Sequence, residues 1–286
     1  QFLHLDHSTT SKVISDSRIN HVLFTGSVSG GKEIKKSIGT RFISAGLELG
    51  GKDPAIICDD ADIDVAAKGT SWGALVNSGQ VCTSIERVYV FSNVAERFTE
   101  SLVEESKKVK LGDPMDADTD LGPMASKAQL KKALEKVALA KQEGARILTG
   151  GHRPKEFARG YFFSPTILDR VRPDMEIVTE ESFSPVIPVQ KVDSLDEAIK
   201  MSNATKYGLG CTIFTRDIER AMNAADKIKS GTVCINSPLM ENIAAPFGGM
   251  KQSGIGREHG IEALDEFREA KHIYLDYEHS KKSWWF

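Results

Sequence analysis

Strand-like and helix-like stretches alternate along this chain, and that alternation predicts an α/β fold built on a largely parallel sheet. Two further observations support the class. PAIIC, LGCTIFT and GTVCIN are short apolar, β-branched runs that read as buried strands. A glycine-rich stretch, FTGSVSGG, joins a strand, HVLF, to a helix, KEIKKSI.

The elements follow in order. QFLHL runs at once into a helix-like STTSKVISDS, as mid-domain sequence does, so part of the fold is expected upstream. HVLF is a strand, GKEIKKSI a helix, ISAGLEL and PAIIC strands, and IDVAAKGTSWGALV a helix. ERVYVF, a polar helix over about 94–110, a second over about 126–143, and RILTGG continue the alternation. LGDPMDADTDLGPM, rich in Asp, Gly and Pro, reads as an ordered surface loop between those helices. PVIPVQ, SLDEAIKMSN, LGCTIFT, DIERAMNAADKI and GTVCIN repeat the pattern, and HIYLDY alternates as a closing strand.

A chain of 286 residues suits two folding units of unequal size. Its 40% hydrophobic and 27% charged content is that of a soluble globular protein. Lys and Arg number 37 against 40 acids and are scattered, which argues against nucleic-acid or membrane-surface partners. No apolar stretch approaches the roughly 20 residues of a membrane span, and no signal-peptide pattern opens the chain, so a cytoplasmic protein is expected. Four cysteines without a CxxC pair give neither a disulfide framework nor a zinc site, and no metal is expected. Cys58, Cys211 and Cys234 sit in strand-like runs as small hydrophobes. Cys82 differs, because it follows the polar, helix-ending NSGQV and precedes a strand; a reactive thiol there needs partial exposure and an electropositive setting.

Three constellations carry chemistry. FTGSVSGG, with Gly26 and Gly31, turns a strand into a helix, where unpaired N–H groups bind a pyrophosphate; it also suits an ordinary tight turn. In LELGGKDP, Glu48 ends an apolar run before Gly50 and Gly51, so it is either ion-paired or a base of raised pKa. Cys82 follows 34 residues further on.

Taken in this order, the motifs resemble the aldehyde dehydrogenase superfamily, and the likeness runs from FTGS through EESFSPV and GTVCIN to PFGGMKQSGIGRE and the tail. The resemblance implies an aldehyde dehydrogenase-like α/β fold. Residues 1–50 would end the Rossmann-type cofactor domain, 51–252 form the catalytic domain, 253–271 return to the cofactor domain, and 272–286 form an oligomerisation strand and tail. It implies NAD as cofactor, with NADP left open, a small aldehyde as substrate, and a homo-oligomer, dimer or tetramer. Cys82 would be the nucleophile, forming a thiohemiacetal and then a thioester, and its backbone N–H one oxyanion donor. Glu48 would activate the water that hydrolyses the thioester. Gly26 and Ser27 would meet the pyrophosphate beside Gly50, Glu181 the nicotinamide ribose and Phe183 the ring. Trp72, Val81, Thr83, Leu239, Glu241 and Phe247 would line the aldehyde path, with Glu241 disfavouring anionic aldehydes. Glu258 is either a second carboxylate for proton relay or a surface acid.

The sequence departs from the family pattern at Ser184, where EESFGPV has glycine, so a changed bend is expected there. Two other readings stand beside the oxidation of an aldehyde to a free acid. One is a CoA-acylating relative, against which Glu48 speaks; the other is a catalytically incompetent fragment or structural subunit. Exposed Trp284 and Trp285 suit an interface.

Overall fold

The computed structural model describes residues 2–277 and 281–284. Helix α1 (His7–Ser15) precedes strand β1 (His21–Thr25), α2 (Val28–Ile38) and β2 (Ser44–Glu48). β1 and β2 pair in parallel, and the short β10 (Gly254–Ile255) returns late in the chain to pair antiparallel with the end of β2. Val22, Ile34, Ile38, Leu47 and Leu49 form the small core of this three-stranded sheet.

Between those visits the chain builds a seven-stranded sheet from β3 (Asp53–Ile57), β4 (Ile85–Phe91), β5 (Arg146–Thr149), β6 (Thr166–Asp169), β7 (Val186–Val192), β8 (Gly210–Phe214) and β9 (Thr232–Ile235), in the order β5-β6-β7-β4-β3-β8-β9. Every pairing is parallel except β5 with β6 at one edge. The interior strands β3, β4 and β8 are buried along their whole length, in keeping with their mostly apolar sequences. α3 (Ile63–Leu75) and α4 (Ala95–Lys108) cover one face, where Phe98 and Leu102 are fully buried; each such side chain contributes roughly 1.5–3 kcal/mol. α7 (Leu195–Asn203) and α8 (Ile218–Lys227) cover the other through Ala198, Ile199, Ala224 and Ile228. α5 (Lys127–Gln142) and the single turn α6 (Glu176–Thr179) enclose a further core beside β6 and β7.

Side chains fix where the helices begin. Asp62, Ser126, Ser194 and Asp217 each accept a backbone N–H of the first turn, an arrangement worth about 1 kcal/mol per cap. Ser27 does the same for α2 through the Gly30 N–H, so α2 starts at Val28, before the expected KEIKKSI. Gly30 and Gly31 therefore lie inside the helix, and Gly31 lets it pack on Leu49, whose side chain occupies the place of a Cβ. The other departure is the tail. HIYLDY forms no strand, because a strand exists only where a second one answers its N–H and C=O groups, and the described residues provide none. Ile273, Tyr274, Leu275 and Tyr277 stand exposed, as does Trp284, while Trp285 lies outside the described residues. The short α9 (Gly260–Asp265) precedes this segment. No helix among the described residues is long and apolar enough to cross a membrane.

Candidate active site

The strand directions place the candidate residues at one junction. β1 and β2 end there, delivering Gly26, Ser27 and Glu48, while β3, β4 and β7 begin there, so the loops before them carry Gly50–Lys52, Cys82 and Glu181–Phe183. The Gly26 N–H donates to the Glu48 carbonyl at 2.9 Å, and Leu49 N–H donates to Ser253 O at 2.9 Å. Ser253 Oγ donates to Gly50 O at 2.7 Å and accepts from Gly208 N–H at 3.0 Å. The backbone on both sides of Glu48 is thus fixed by the small sheet.

Glu48 is 5% exposed, and its Oε2 has no hydrogen-bond partner. Burial, then the Glu258 charge, push its carboxyl up to about 7 against the opposing pull of Arg257. Glu258 joins Glu48, Arg257 and His259 in lining a cavity of about 100 Å³. Its backbone exchanges hydrogen bonds with Phe247, both at 2.7 Å.

Cys82 leaves a turn unusual for three consecutive positive φ angles, Asn77 at 51°, Ser78 at 59° and Gly79 at 67°. Only glycine takes this region freely, so the surroundings must hold the other two. Ser78 Oγ donates to Gly122 O at 2.7 Å, and the Asn77 and Gln80 side chains each donate to the other residue's carbonyl at 3.0 Å. Gln80 Oε1 accepts the Ala125 N–H at 2.8 Å. Gly79 has no room for a Cβ, which would fall on the carbonyl of Ser184. The departure at Ser184 thus touches this turn, where its buried Oγ has no partner.

Cys82 is partly buried, but its setting is not the electropositive one expected. Burial, then Asp53, then Glu48 raise its thiol to about 11. The thiol form therefore predominates at neutral pH. Cys58 and Cys211 are buried; Cys234 corrects the expectation, being only partly so, with its Sγ 3.9 Å from Met240 O. It sits on the edge strand β9, which has a neighbour on one side only.

Ser27, Val28, Ser29, Lys32, Lys132 and Glu181 are among the residues around a cleft of about 670 Å³. Ser27, Val28 and Ser29, the cap and first two residues of α2, put the start of that helix at the cleft. Glu181 Oε1 accepts the Gly51 N–H at 3.1 Å, and a Cβ at Gly50 would collide with the same carboxylate. Burial, then Glu86, raise Glu181 to about 7. Phe183 stands two residues on at φ 49°. On the other side of Cys82, Thr83, Leu239, Glu241 and Phe247 line a narrow cavity of about 20 Å³ with Asp53 and Cys234, room for about one water. Val81 and Trp72 do not line it, and Trp72 is 53% exposed on α3. A cavity of about 750 Å³ between α4 and β5–β7 holds none of the candidate residues.

Sequence reasoning missed Asp53, Glu86, Lys52 and Gln129. Asp53, at the start of the interior strand β3 and 3% exposed, is pushed up to about 7 by burial. The signal was there in charged residues set inside strand-like runs, GGKDPAIIC and IERVYV, since such groups are buried only when paired or neutralised.

A half-buried thiol that feels the charge of an unpartnered carboxylate, and a cleft bordered by the start of a helix, meet at this junction of an α/β fold. The aldehyde dehydrogenase family matches residues 2–273, and the chain belongs to that family. It is 43% identical over 265 residues to the betaine aldehyde dehydrogenase of Brucella anthropi, covering 90% of this chain and 54% of that one. Staphylococcus aureus betaine aldehyde dehydrogenase, solved with NAD+, superposes with a TM-score of 0.91 at 40% identity, over 96% of this chain and 56% of that one. Lactaldehyde dehydrogenase from Escherichia coli gives 0.90 at 38%, over 93% and 56%. The chain therefore spans about half the length of the relatives it matches.

Proposed function

We propose that the protein containing this chain oxidises a small aldehyde to the free carboxylic acid with NAD, using Cys82 as nucleophile and Glu48 as base. The observation that carries the reading is the buried Glu48 carboxyl, unpartnered at Oε2, whose charge acts on the Cys82 thiol. Cys82 Sγ adds to the carbonyl carbon, its proton leaving to solvent water, and the Cys82 backbone N–H donates to the oxygen that becomes negative. Glu258, on the same cavity as Glu48, is the second carboxylate of the relay that carries away the proton taken from the hydrolytic water. Bound NAD supplies the hydride acceptor that turns the Cys82 thiohemiacetal into a thioester. Glu48, ionised, activates the water that releases the acid.

The residues present fit such a cofactor. Ser27 and the α2 N-terminus suit a pyrophosphate, Gly26 and Gly50 let backbone come close, and the Glu181 carboxylate suits ribose hydroxyls, with Phe183 beside it. NAD rather than NADP is proposed because the S. aureus relative was solved with NAD+. Thr83, Leu239, Glu241 and Phe247 are assigned to the aldehyde path, with Val81 and Trp72 at its margin. The Glu241 charge favours neutral or cationic aldehydes, in keeping with the betaine aldehyde relatives. Residues 1–50 and 253–271 are assigned to the cofactor domain, 51–252 to the catalytic domain, and 272–286 to association of like subunits. The four free thiols, one of them the nucleophile, suit the reducing cytoplasm.

Glu48→Gln tests the proposal. The variant should release one equivalent of NADH per site in a burst and then turn over at least about 100-fold more slowly than the parent. Loss of the burst as well, in folded protein, would instead place Glu48 in a step before hydrolysis.

A further inference from the structure

The loop carrying Glu181 and Phe183 is held from beneath by a buried charge pair that the proposed chemistry does not use. Lys52 Nζ and Glu86 Oε2 meet at 2.7 Å with side chains 0% and 3% exposed. Glu86 commits both oxygens to the loop, Oε2 accepting the Ser182 N–H at 2.7 Å and Oε1 the Phe183 N–H at 2.6 Å. Lys52 also donates to Ser182 Oγ at 3.0 Å. From the other side, Gln129 Nε2 donates to the carbonyls of Ser182 and Phe183 at 3.1 and 2.7 Å. The N–H and C=O groups of two successive residues are therefore all held by side chains. That hold keeps Phe183 at φ 49°, a conformation phenylalanine rarely adopts.

A buried ion pair returns little stability for its desolvation, so its geometry is the better account of its presence. Lys52 follows Gly51, whose N–H binds Glu181, and Arg87 Nε donates to the Lys52 carbonyl at 2.7 Å. Glu86 lies four residues after Cys82, in the strand that leaves the nucleophile turn. One charge pair thus ties the Gly50–Gly51 loop, the Cys82 loop and the Glu181–Phe183 loop together.

We infer that Lys52 and Glu86 are positioning residues that set Glu181 and Phe183 against Cys82 and so govern binding of the nicotinamide half of NAD; the inference rests on the reading of the site given above. Calorimetry on the protein containing this chain, with NAD and separately with ADP, tests it. Absence of NAD binding by the parent protein would defeat the underlying reading and is told apart from failure of this inference, which concerns the variants. Glu86→Gln keeps the shape but leaves Lys52 without its counter-charge. Its Kd for NAD should rise at least about tenfold, the worth of one hydrogen bond to a charged group, while its Kd for ADP stays within about twofold. The double variant Lys52→Met with Glu86→Leu, which removes both charges, should show the same split. In turnover the KM for NAD should rise by more than kcat falls. A folded variant that binds NAD as the parent does, or loses NAD and ADP affinity together, would overturn the inference. If neither variant of the pair folds, Gln129→Leu, which removes two bonds to the loop and leaves the pair intact, should still raise the Kd for NAD about threefold or more; an unchanged value would overturn it.

Discussion

Glu48 and Asp53 flank Cys82 with two carboxyl groups whose burial raises each to about 7. For Glu48 the sign is that of a base, competent only when ionised. Turnover limited by thioester hydrolysis should rise as pH rises through about 7, and Glu48→Gln should abolish that rise; a profile unchanged by the substitution would contradict the assignment. For Asp53 the consequence is in stability. Its carboxyl in the folded protein keeps a proton that the unfolded chain, at the ordinary 3.8, gives up between about pH 4 and 7. Asp53 thus favours folding most at the acid end of that window, and the contribution is lost as pH rises through about 7. In urea unfolding at pH 5 and pH 8, Asp53→Asn should reduce the loss of stability with rising pH, and an equal loss in both proteins would refute this. Glu48 was legible in the sequence because a carboxylate before a double glycine is conspicuous. Asp53 was not, because reading its role requires knowing that β3 is an interior strand and that the Cys82 loop approaches its start.

At the scale of elements, alternation placed most strands and helices within a residue or two, as for the helix expected over about 126–143 and found at Lys127–Gln142. The failures are instructive. α2 begins four residues earlier than expected, because the Ser27 cap sets its start and the two glycines, which looked like turn residues, serve helix packing. β6 was not foreseen, since TILD is only four residues long and follows a proline; its partners β5 and β7 define it. HIYLDY has the right alternation but no partner strand among the described residues. In the proposed assembly a second subunit supplies that partner. Deleting residues 272–286 from the protein containing this chain should lower its mass in light scattering to that of a smaller species, and an unchanged mass would remove the tail from the interface.

Over the whole molecule, the site exists because two sheets meet end to end. The chain leaves the small sheet after Glu48, enters the large one at Asp53 and returns at Gly254, so Glu48 and the Cys82 loop come from different sheets. Sequence order showed the motifs, but not that the strands of the large sheet present their amino ends to the site. That polarity emerges only from pairing. The charge pair of Lys52 and Glu86 was hidden for the same reason, as its partners lie 34 residues apart. The central claim is that the acyl group is carried by Cys82 and released by Glu48. The most direct measurement is mass spectrometry of the Glu48→Gln protein, quenched in acid after mixing with NAD and an aldehyde. The account predicts one acyl group per site, mapped to the peptide containing Cys82 and absent without NAD. Folded, cofactor-binding protein that carries no acyl group, or carries it on another residue, would contradict it.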